Sequence, residues 1–432
     1  MEKLSTLPYK GSRDFYPPEQ NLQNYIFEKW RHVCRLYGFE EYNGPFIEPF
    51  ELYEAKSGQE LVNEQLYSFE DRGGRKVAIR PEMTPTVSRM VAAQSKSMAK
   101  PIKWFSIANF WRYERPQRGR LREFFQLNVD IFGEDSVLSD FEVFSVGPAI
   151  MKALGAKSSM YQVKVNNRIF MDFLFDTLVG VPQDKKQPVL RAIDRRAKME
   201  EAEFKKMLFE DAGLDGTQVE KVFEILNLKI EDVGNYKGQN KGADELIEFF
   251  NLAKNSEFAD VFVYDPQIVR GLDYYTGLVI EQWDKHPQNS RSMYGGGRYD
   301  KLTDLFEGAE PLPATGFAMG DVTLIKFLES WNLLPQFKNT TKALVTIFPK
   351  LEAKSIALAQ KLRSSGIETE LYLSPTDPLD KQIKYANKKG VPYVLIVGEN
   401  EVKENTITVK NLFTREQKTV STNEVENLLL NS

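Results

Sequence analysis

The chain has 432 residues, long enough for two or three domains of ordinary size. Hydrophobic residues make up 42% and charged ones 27%, a globular balance that excludes a disordered chain. The 57 basic against 61 acidic side chains leave a net charge of −4, without the basic excess of a protein held to nucleic acid by bulk charge. One cysteine excludes a disulfide framework, and one cysteine with two histidines cannot build the usual zinc clusters. His32 falls in a helical run and His286 in a polar loop, so each reads as a solvated side chain rather than as part of a Ser-His-Asp triad. The start, MEKLSTLPYKG, has no apolar core of signal-peptide length, and no run approaches the roughly 18 apolar residues of a membrane span. A cytoplasmic protein of a reducing compartment, with no membrane partner, is expected.

In chain order, LQNYIFEKWRHVCRLY (22–37) is an amphipathic helix closed by Gly38. Short extended runs follow, with a turn at Asp71–Gly74. In AIRPEMTPT (78–86), Thr84 and Pro85 read as the N-cap and first-turn proline of a helix reaching about Ser97. Glu82, just before that cap, sits where a helix N-terminus favours negative charge. A hairpin-like pair covers 102–114 and 120–132; a charged, helical stretch runs from about 168 to 260, and strand texture returns over 261–340. Residues 1–330 therefore read as one α+β domain, a mostly antiparallel sheet with helices, interrupted by a helical insertion. WNLLPQFKNTT (331–341) is the natural linker. Over 342–432 strands alternate with helices of about a dozen residues, closed by Gly366 and Gly390, which implies a small α/β domain with a largely parallel sheet.

The densest charge lies in RYERPQRGRLR (112–122), with Arg112, Arg115, Arg118, Arg120 and Arg122 against Glu114 alone. With a turn at Pro116–Gly119, strand alternation puts Arg120, Arg122, Phe124, Gln126, Asn128 and Asp130 on one face and a core set, Leu121 to Ile131, on the other. The first face is either solvent or the floor of a polar site. Five arginines on one hairpin favour a polyanion, because guanidinium forks match phosphate oxygens and Phe124 offers a stacking surface. The usual phosphate loops, GxxxxGK[ST] and GxGxxG after a strand, are missing, and GGGRYD (295–300) reads as a tight turn. A bound nucleotide would thus be held by arginines on an antiparallel sheet. RGLDYYTGLVIE (270–281) is a second polar cluster; of its adjacent Tyr274 and Tyr275, alternation lets only one line a given pocket.

KGSRDF (10–15), RPEMT (80–84), FWRYERPQRGRLREFFQLNVDIFG (110–133), RGLDYYTG (270–277), YGGGRYD (294–300) and ATGFAMG (314–320) occur in the order and approximate spacing of the histidyl-tRNA synthetases. The resemblance spans essentially the whole chain. The arginine hairpin resembles motif 2 of class II aminoacyl-tRNA synthetases, a general signal, whereas RGLDYYTG resembles the far more specific histidine-recognition motif. Gly38–Leu52 resembles motif 1, the dimer-forming segment, and 342–432 the family's anticodon-binding domain. The fold so implied is a class II catalytic domain with a helical insertion, plus a C-terminal α/β anticodon-binding domain.

The resemblance implies a ligase that activates histidine with ATP and transfers it to tRNA-His as a homodimer, with ATP as substrate and Mg2+ expected. It assigns Arg112 and Arg270 to the α-phosphate and the histidine carboxylate, with Gln126 beside them as a third residue of the catalytic set. Glu114 would read the adenine edge, Phe124 stack beneath the ring and Arg120 hold the outer phosphates. Glu82, Thr84 and Gln126 would contact the amino and carboxylate side of histidine. Asp130 and Tyr275 would satisfy the imidazole, with Tyr274 in the same motif and Tyr299 closing the pocket. No metal ligand is assigned. Two departures stand out: Thr323 occupies the place of the motif 3 arginine above adenine, and Asp130 that of a longer carboxylate. Two alternatives are a non-catalytic, synthetase-like regulatory subunit of ATP phosphoribosyltransferase, and a class II synthetase for another amino acid. The first typically lacks the C-terminal domain, and the second has no use for the polar pair of RGLDYYTG.

Overall fold

The computed structural model describes residues 3–55, 61–196, 199–269, 275–289, 292–337 and 339–431. The chain divides into two compact units, Met1–Leu334 and Pro335–Ser432.

The first unit opens with helix α1 (Pro17–Leu36), which starts five residues before the hydrophobic pattern because Pro17 and Pro18 pre-set the first turn. Its stripe of Ile26, Trp30, Val33 and Cys34 is buried, and Gly38, at φ +75°, lets the chain turn away. Strands β1 (Glu40–Glu41) and β2 (Ile47–Pro49), helix α2 (Phe50–Glu54), strands β3 (Ser68–Glu70) and β4 (Lys76–Ile79), and helix α3 (Thr84–Gln94) follow. Next come β5 (Ile102–Trp111), β6 (Glu123–Phe132), helix α4 (Val137–Ala153) and β7 (Tyr161–Asn167). The insertion is helical: α5 (Arg168–Leu174), α6 (Lys186–Arg196), α7 (Glu201–Glu210), α8 (Gly216–Ile225), α9 (Ile230–Val233) and α10 (Lys241–Lys254). The unit ends with β8 (Phe262–Tyr264), β9 (Leu278–Asp284), β10 (Ser292–Arg298), β11 (Ala314–Gly320) and α11 (Asp321–Ser330).

Eight strands form one sheet in the order β1-β5-β6-β11-β10-β9-β7-β8. Its two outermost pairs are parallel and the pairs between them antiparallel. Strands β2, β4 and β3 make a small antiparallel sheet. Leu127, Val129 and Ile131 of β6 face a core they share with Phe317 and Met319 of β11, Ile280 of β9, and Val143, Phe144 and Ile150 of α4. Phe170, Phe204, Val222 and Phe249 of the insertion join the same core, so the inserted helices extend it rather than forming one of their own. Each fully buried aromatic there is worth about 1.5–3 kcal/mol of burial free energy.

Three local expectations are corrected. The long hairpin breaks off at Trp111 and resumes at Glu123, and its tip is a turn in which Gln117 and Arg120 exchange backbone hydrogen bonds, with Gly119 at φ +77°. Arg122 is therefore not on the strand face: it donates to Tyr9 Oη at 2.8 Å and lies 4.0 Å from the centre of the Tyr113 ring. Thr84 is not an N-cap. Met83 takes that place, Pro85 falls in the first turn of α3, and no side chain caps the helix. GGGRYD is not a turn either, since Gly295–Gly297 lie inside β10 near the middle of the sheet.

In the second unit, β12 (Ala343–Val345), α12 (Glu352–Ser364), β13 (Thr369–Leu371), α13 (Leu379–Lys389), β14 (Tyr393–Ile396), α14 (Glu399–Glu404), β15 (Thr406–Asn411), β16 (Gln417–Ser421) and α15 (Val425–Leu430) follow in order. The sheet runs β13-β12-β14-β15-β16, with the first three strands parallel and the last two antiparallel. β12 is shorter than its apolar run because side chains take over beyond Val345. Thr346 Oγ1 accepts from Val397 N at 3.1 Å, and the buried Gln382 amide bonds both N and O of Ile347.

Candidate active site

Strand register decides which side chains share the face opposite the core. Gln126, Asn128 and Asp130 of β6 stand opposite Gly320, Ala318 and Gly316 of β11, and these in turn lie beside Gly295 and Gly297 of β10. On the far side of β6 the partners of Gln126, Asn128 and Asp130 are Ala108, Ser106 and Trp104 of β5. Small residues thus flank Gln126 and Asn128 on both sides and Asp130 on the β11 side, with Trp104 beside Asp130 on the other, leaving a trough above the sheet centre. The trough depends on the missing side chains: a Cβ on Gly316 would lie 2.1 Å from Asp130 Oδ1, and one on Gly297 would lie 2.7 Å from the Tyr275 ring.

Asp130 lies at the buried end of the trough, 4% exposed. Tyr299 Oη donates to its Oδ1 at 2.5 Å, and burial pushes its carboxyl up from 3.8 to about 7, a rise that this hydrogen bond opposes. Gln126 Oε1 is buried and has no partner among the described residues. Tyr275 packs at the edge of an aromatic and aliphatic wall made by Met83, Phe110, Phe124, Phe132 and Tyr299. At the other end, the Arg112 guanidinium lies 5.4 Å from the centre of the Phe124 ring, and its Nε donates to Pro81 O at 2.9 Å. That bond ties the arginine hairpin to the RPEMT segment, in which Glu82 is buried. The Thr84 hydroxyl, freed from capping, is half-buried and makes no hydrogen bond among the described residues. Glu114 is buried and pairs with Arg120, Nε to Oε2, at 2.9 Å.

The structure therefore brings Glu82, Thr84, Arg112, Glu114, Arg120, Phe124, Gln126, Asp130, Tyr275 and Tyr299 into one region of the first unit. Arg270 and Tyr274 lie outside the described residues. Among the described residues no group of three or more His, Cys, Asp or Glu side chains could hold a metal ion, and no helix is long and apolar enough to cross a membrane.

Several supporting residues escaped the sequence reading. Arg13 of KGSRDF donates to Asp321 Oδ2 at 2.7 Å, while Asp321 Oδ1 accepts from Phe125 N at 3.0 Å. This clamps the first turn of α11 to the start of β6; burial raises the Asp321 carboxyl, and the Arg13 charge holds it back. Thr323, on the same turn, spends its hydroxyl on Met293 O at 3.1 Å. Arg298 of GGGRYD belongs to the opposite face, where its guanidinium is buried against Asp140 at 2.8 Å and also bonds Ser136 O and Ser139 Oγ. Glu281 shares the floor face beside Gly295, and Trp283 Nε1 donates to its Oε2 at 3.0 Å. Only side-chain pairing across strands reveals these roles; a motif read along one strand does not.

Comparison with known proteins agrees with this geometry. The family model described as histidyl-tRNA synthetase matches residues 11–323, and that of the anticodon binding domain matches 342–432. A histidine–tRNA ligase of Leptospira biflexa is 42% identical over 98% of this chain and 97% of its own length. One of Pyrococcus furiosus is 36% identical, covering 98% of each chain, and the chloroplastic/mitochondrial one of Arabidopsis thaliana is 35% identical over 98% of this chain and 87% of its own. In fold, the crystal structure of histidyl-tRNA synthetase from Nostoc sp. PCC 7120 superposes with a TM-score of 0.82 at 22% identity, covering 99% of this chain and 100% of that one. A Bacillus halodurans structure, titled as an ATP phosphoribosyltransferase regulatory subunit/histidyl-tRNA synthetase, reaches 0.76 at 20% identity over 92% and 100%. With a family model over most of its length and relatives above 30% identity from end to end, this chain belongs to the histidyl-tRNA synthetase family.

Proposed function

We propose that the protein is a histidine–tRNA ligase that forms histidyl-adenylate from histidine and ATP and passes the histidyl group to tRNA-His. The observation that carries this reading is the trough itself: a buried carboxylate–tyrosine pair, Asp130 and Tyr299, at one end, and an arginine over an aromatic ring, Arg112 and Phe124, at the other. The neutral imidazole has one donor and one acceptor nitrogen, which the buried carboxyl and the neighbouring hydroxyls match. The regulatory-subunit fold is shared, but the relatives that match along the whole chain at 35–42% identity are named as ligases.

In the first step an oxygen of the histidine carboxylate attacks the α-phosphorus in line, and pyrophosphate leaves. Both reactants are anions, so positioning and positive charge matter more than a base. Arg112 and Arg270 would hold the α-phosphate and the carboxylate, with Glu82, Thr84 and Gln126 orienting the amino-acid end. Phe124 would seat the adenine, Glu114 read its edge and Arg120 draw off the outer phosphates. Asp130, Tyr275 and Tyr299 would enclose the imidazole, with Tyr274 beside them. In the second step the terminal ribose hydroxyl of tRNA attacks the adenylate carbonyl and AMP leaves. Mg2+ is expected to arrive on the nucleotide, held mainly by phosphates and water.

The proposed organisation is a catalytic domain over 1–330 with an insertion at about 168–260, a linker over 331–341 and an anticodon-binding domain over 342–432, acting as a cytoplasmic homodimer. Histidine-dependent ATP–pyrophosphate exchange tests the reading. Exchange with histidine alone among the amino acids is expected, and Arg270→Ala should abolish it while leaving the melting temperature within a few degrees. No exchange with histidine, beside a working control synthetase, would refute the assignment.

A further inference from the structure

Strand β11 ends at Gly320, which pairs with Gln126, so the stretch of β6 that carries Phe124 runs past the end of its neighbour. Two groups take the backbone donors left there. Asp321 Oδ1 accepts from Phe125 N at 3.0 Å, and Gly11 O accepts from Glu123 N at 3.1 Å and Arg122 N at 2.9 Å. Arg122 O accepts from Arg112 N at 2.9 Å, so what holds Arg122 also holds Arg112. Gly11 has φ +91°, and a Cβ there would lie 2.8 Å from Arg122 Cγ, so this close approach requires glycine.

Arg13 joins the two anchors. Its N donates to Glu123 Oε2 at 3.2 Å and its guanidinium to Asp321 Oδ2 at 2.7 Å. The same guanidinium lies 4.9 Å from the centre of the Phe15 ring, which meets the Phe125 ring edge to face. Glu123 Oε1 accepts from Asn109 Nδ2 at 3.0 Å, which extends the network to β5. Strand alternation puts Glu123 and Phe125 on the face away from Phe124 and Gln126, so these contacts reach the site from beneath. Asp321 is 1% exposed, and a buried ion pair adds little net stability over an apolar pair of the same volume. Its placement at the unsupported end of β6 is what calls for an explanation.

We infer that Arg13 and Asp321 are positioning residues for the nucleotide: through Phe125 N and Glu123 they fix where Phe124 and Arg112 meet ATP, so the N-terminal segment serves the ATP site without touching it. The inference rests on the assignment of the trough as the histidine–ATP site. Gln126 and Asp130 lie where β6 is paired on both sides, so the histidine end does not depend on this clamp. With Thr323 in place of an arginine above the adenine, the floor beneath the ring carries more of its placement.

The test is histidine-dependent ATP–pyrophosphate exchange with the full-length protein, varying ATP and histidine separately, at a temperature where every variant is fully folded. Arg13→Met and Asp321→Ala should each raise the KM for ATP about tenfold, the scale of a displaced binding group, with the KM for histidine within twofold of the parent. Arg13→Lys, which keeps charge and reach, should stay close to the parent. The double variant should be no worse than either single one, because the two residues act as a unit. An ATP KM within twofold of the parent in both single variants, an equal rise in both KM values, or effects that multiply in the double variant would each overturn the inference. Should the parent show no exchange at all, it is the function assignment that fails. The rise in melting temperature with added ATP, smaller in Arg13→Met than in the parent, then decides the inference, and an equal rise in both, nil included, overturns it.

Discussion

Replacing Asp130 by asparagine should make the protein more stable and a worse enzyme, and the pH dependence of the gain is calculable. Burial raises the Asp130 carboxyl to about 7, whereas the unfolded chain ionises it near 3.8. Between those values the folded protein keeps a proton that the unfolded chain has released. Stability therefore falls as pH rises through that window, by about 1.4 kcal/mol per pH unit, and the loss levels off at about 4 kcal/mol above pH 7. The amide carries no such proton, and its oxygen can still accept from Tyr299 Oη. Asp130→Asn should thus be more stable than the parent by about 1.5 kcal/mol at pH 5 and by about 4 kcal/mol at pH 8. Asp140 and Asp321, whose carboxyls are also raised, are present in both proteins and cancel in the difference. The assay is urea unfolding at pH 5, 6, 7 and 8, read on the transition of the first unit because two units need not unfold together. The same substitution should raise the KM for histidine by about 10- to 100-fold, the usual range for losing a charge-assisted hydrogen bond. A stability difference that stays flat from pH 5 to 8, or an Asp130→Asn protein less stable than its parent at pH 8, would refute this account of the buried carboxyl.

Three further outcomes follow from contacts described above. Gly316→Ala drives a methyl group against Asp130 Oδ1 and Val129 O, so it should cost about 1–3 kcal/mol in urea unfolding and raise the KM for histidine; normal values of both would mean that the trough does not depend on the glycine. Asp140→Ala removes the 2.8 Å carboxylate partner of the buried Arg298 and leaves it, as counter-ions among the described residues, the more distant Asp135 and Asp300 at 3.3 Å; it should cost about 3 kcal/mol at pH 7.5 while sparing the KM for ATP. Removing residues 335–432 should leave histidine-dependent exchange in place and impair tRNA charging; unimpaired charging would count against the anticodon role of the second unit.

How much of this was legible along the chain depends on whether the cause was local. The helix of α1, the alternation of β6 and the strand–helix alternation after residue 342 each follow from a period within one segment, and each was readable. Thr84 was misread because Thr-Pro is a good capping pair in isolation, while packing of Met83 into the aromatic wall started the helix one residue differently. The glycines of GGGRYD suggested a turn because a lone strand gains nothing from them. Their reason is the neighbouring strand, where a side chain would collide with Tyr275 or Phe317. The same holds for charge. Residues 1–340 carry 44 basic and 50 acidic side chains and residues 341–432 carry 13 and 11, but neither balance tells which arginines are spent on structure. Arg298 is locked under the sheet and Arg122 is clamped between tyrosines, whereas Arg118 is left uncommitted among the described residues.

The buried carboxyl also bears on how histidine could be selected. A group that ionises near 7 is a mixture of acid and carboxylate at neutral pH, so it can either donate to an imidazole nitrogen or accept from one. The pocket then does not have to wait for one tautomer of the ligand, and an incoming imidazole can settle the proton on either side. An apolar side chain of similar shape would leave Asp130 and Gln126 Oε1, which has no partner among the described residues, without the bonds that a polar ligand supplies, the situation in which discrimination is strongest. The roughly 4 kcal/mol that Asp130 withholds from stability above pH 7 and its capacity to reject apolar analogues would then have a single cause, the desolvation of one carboxylate beneath a floor of glycines. Asp130→Asn separates the two directly: it should recover the stability and surrender the selectivity in one protein.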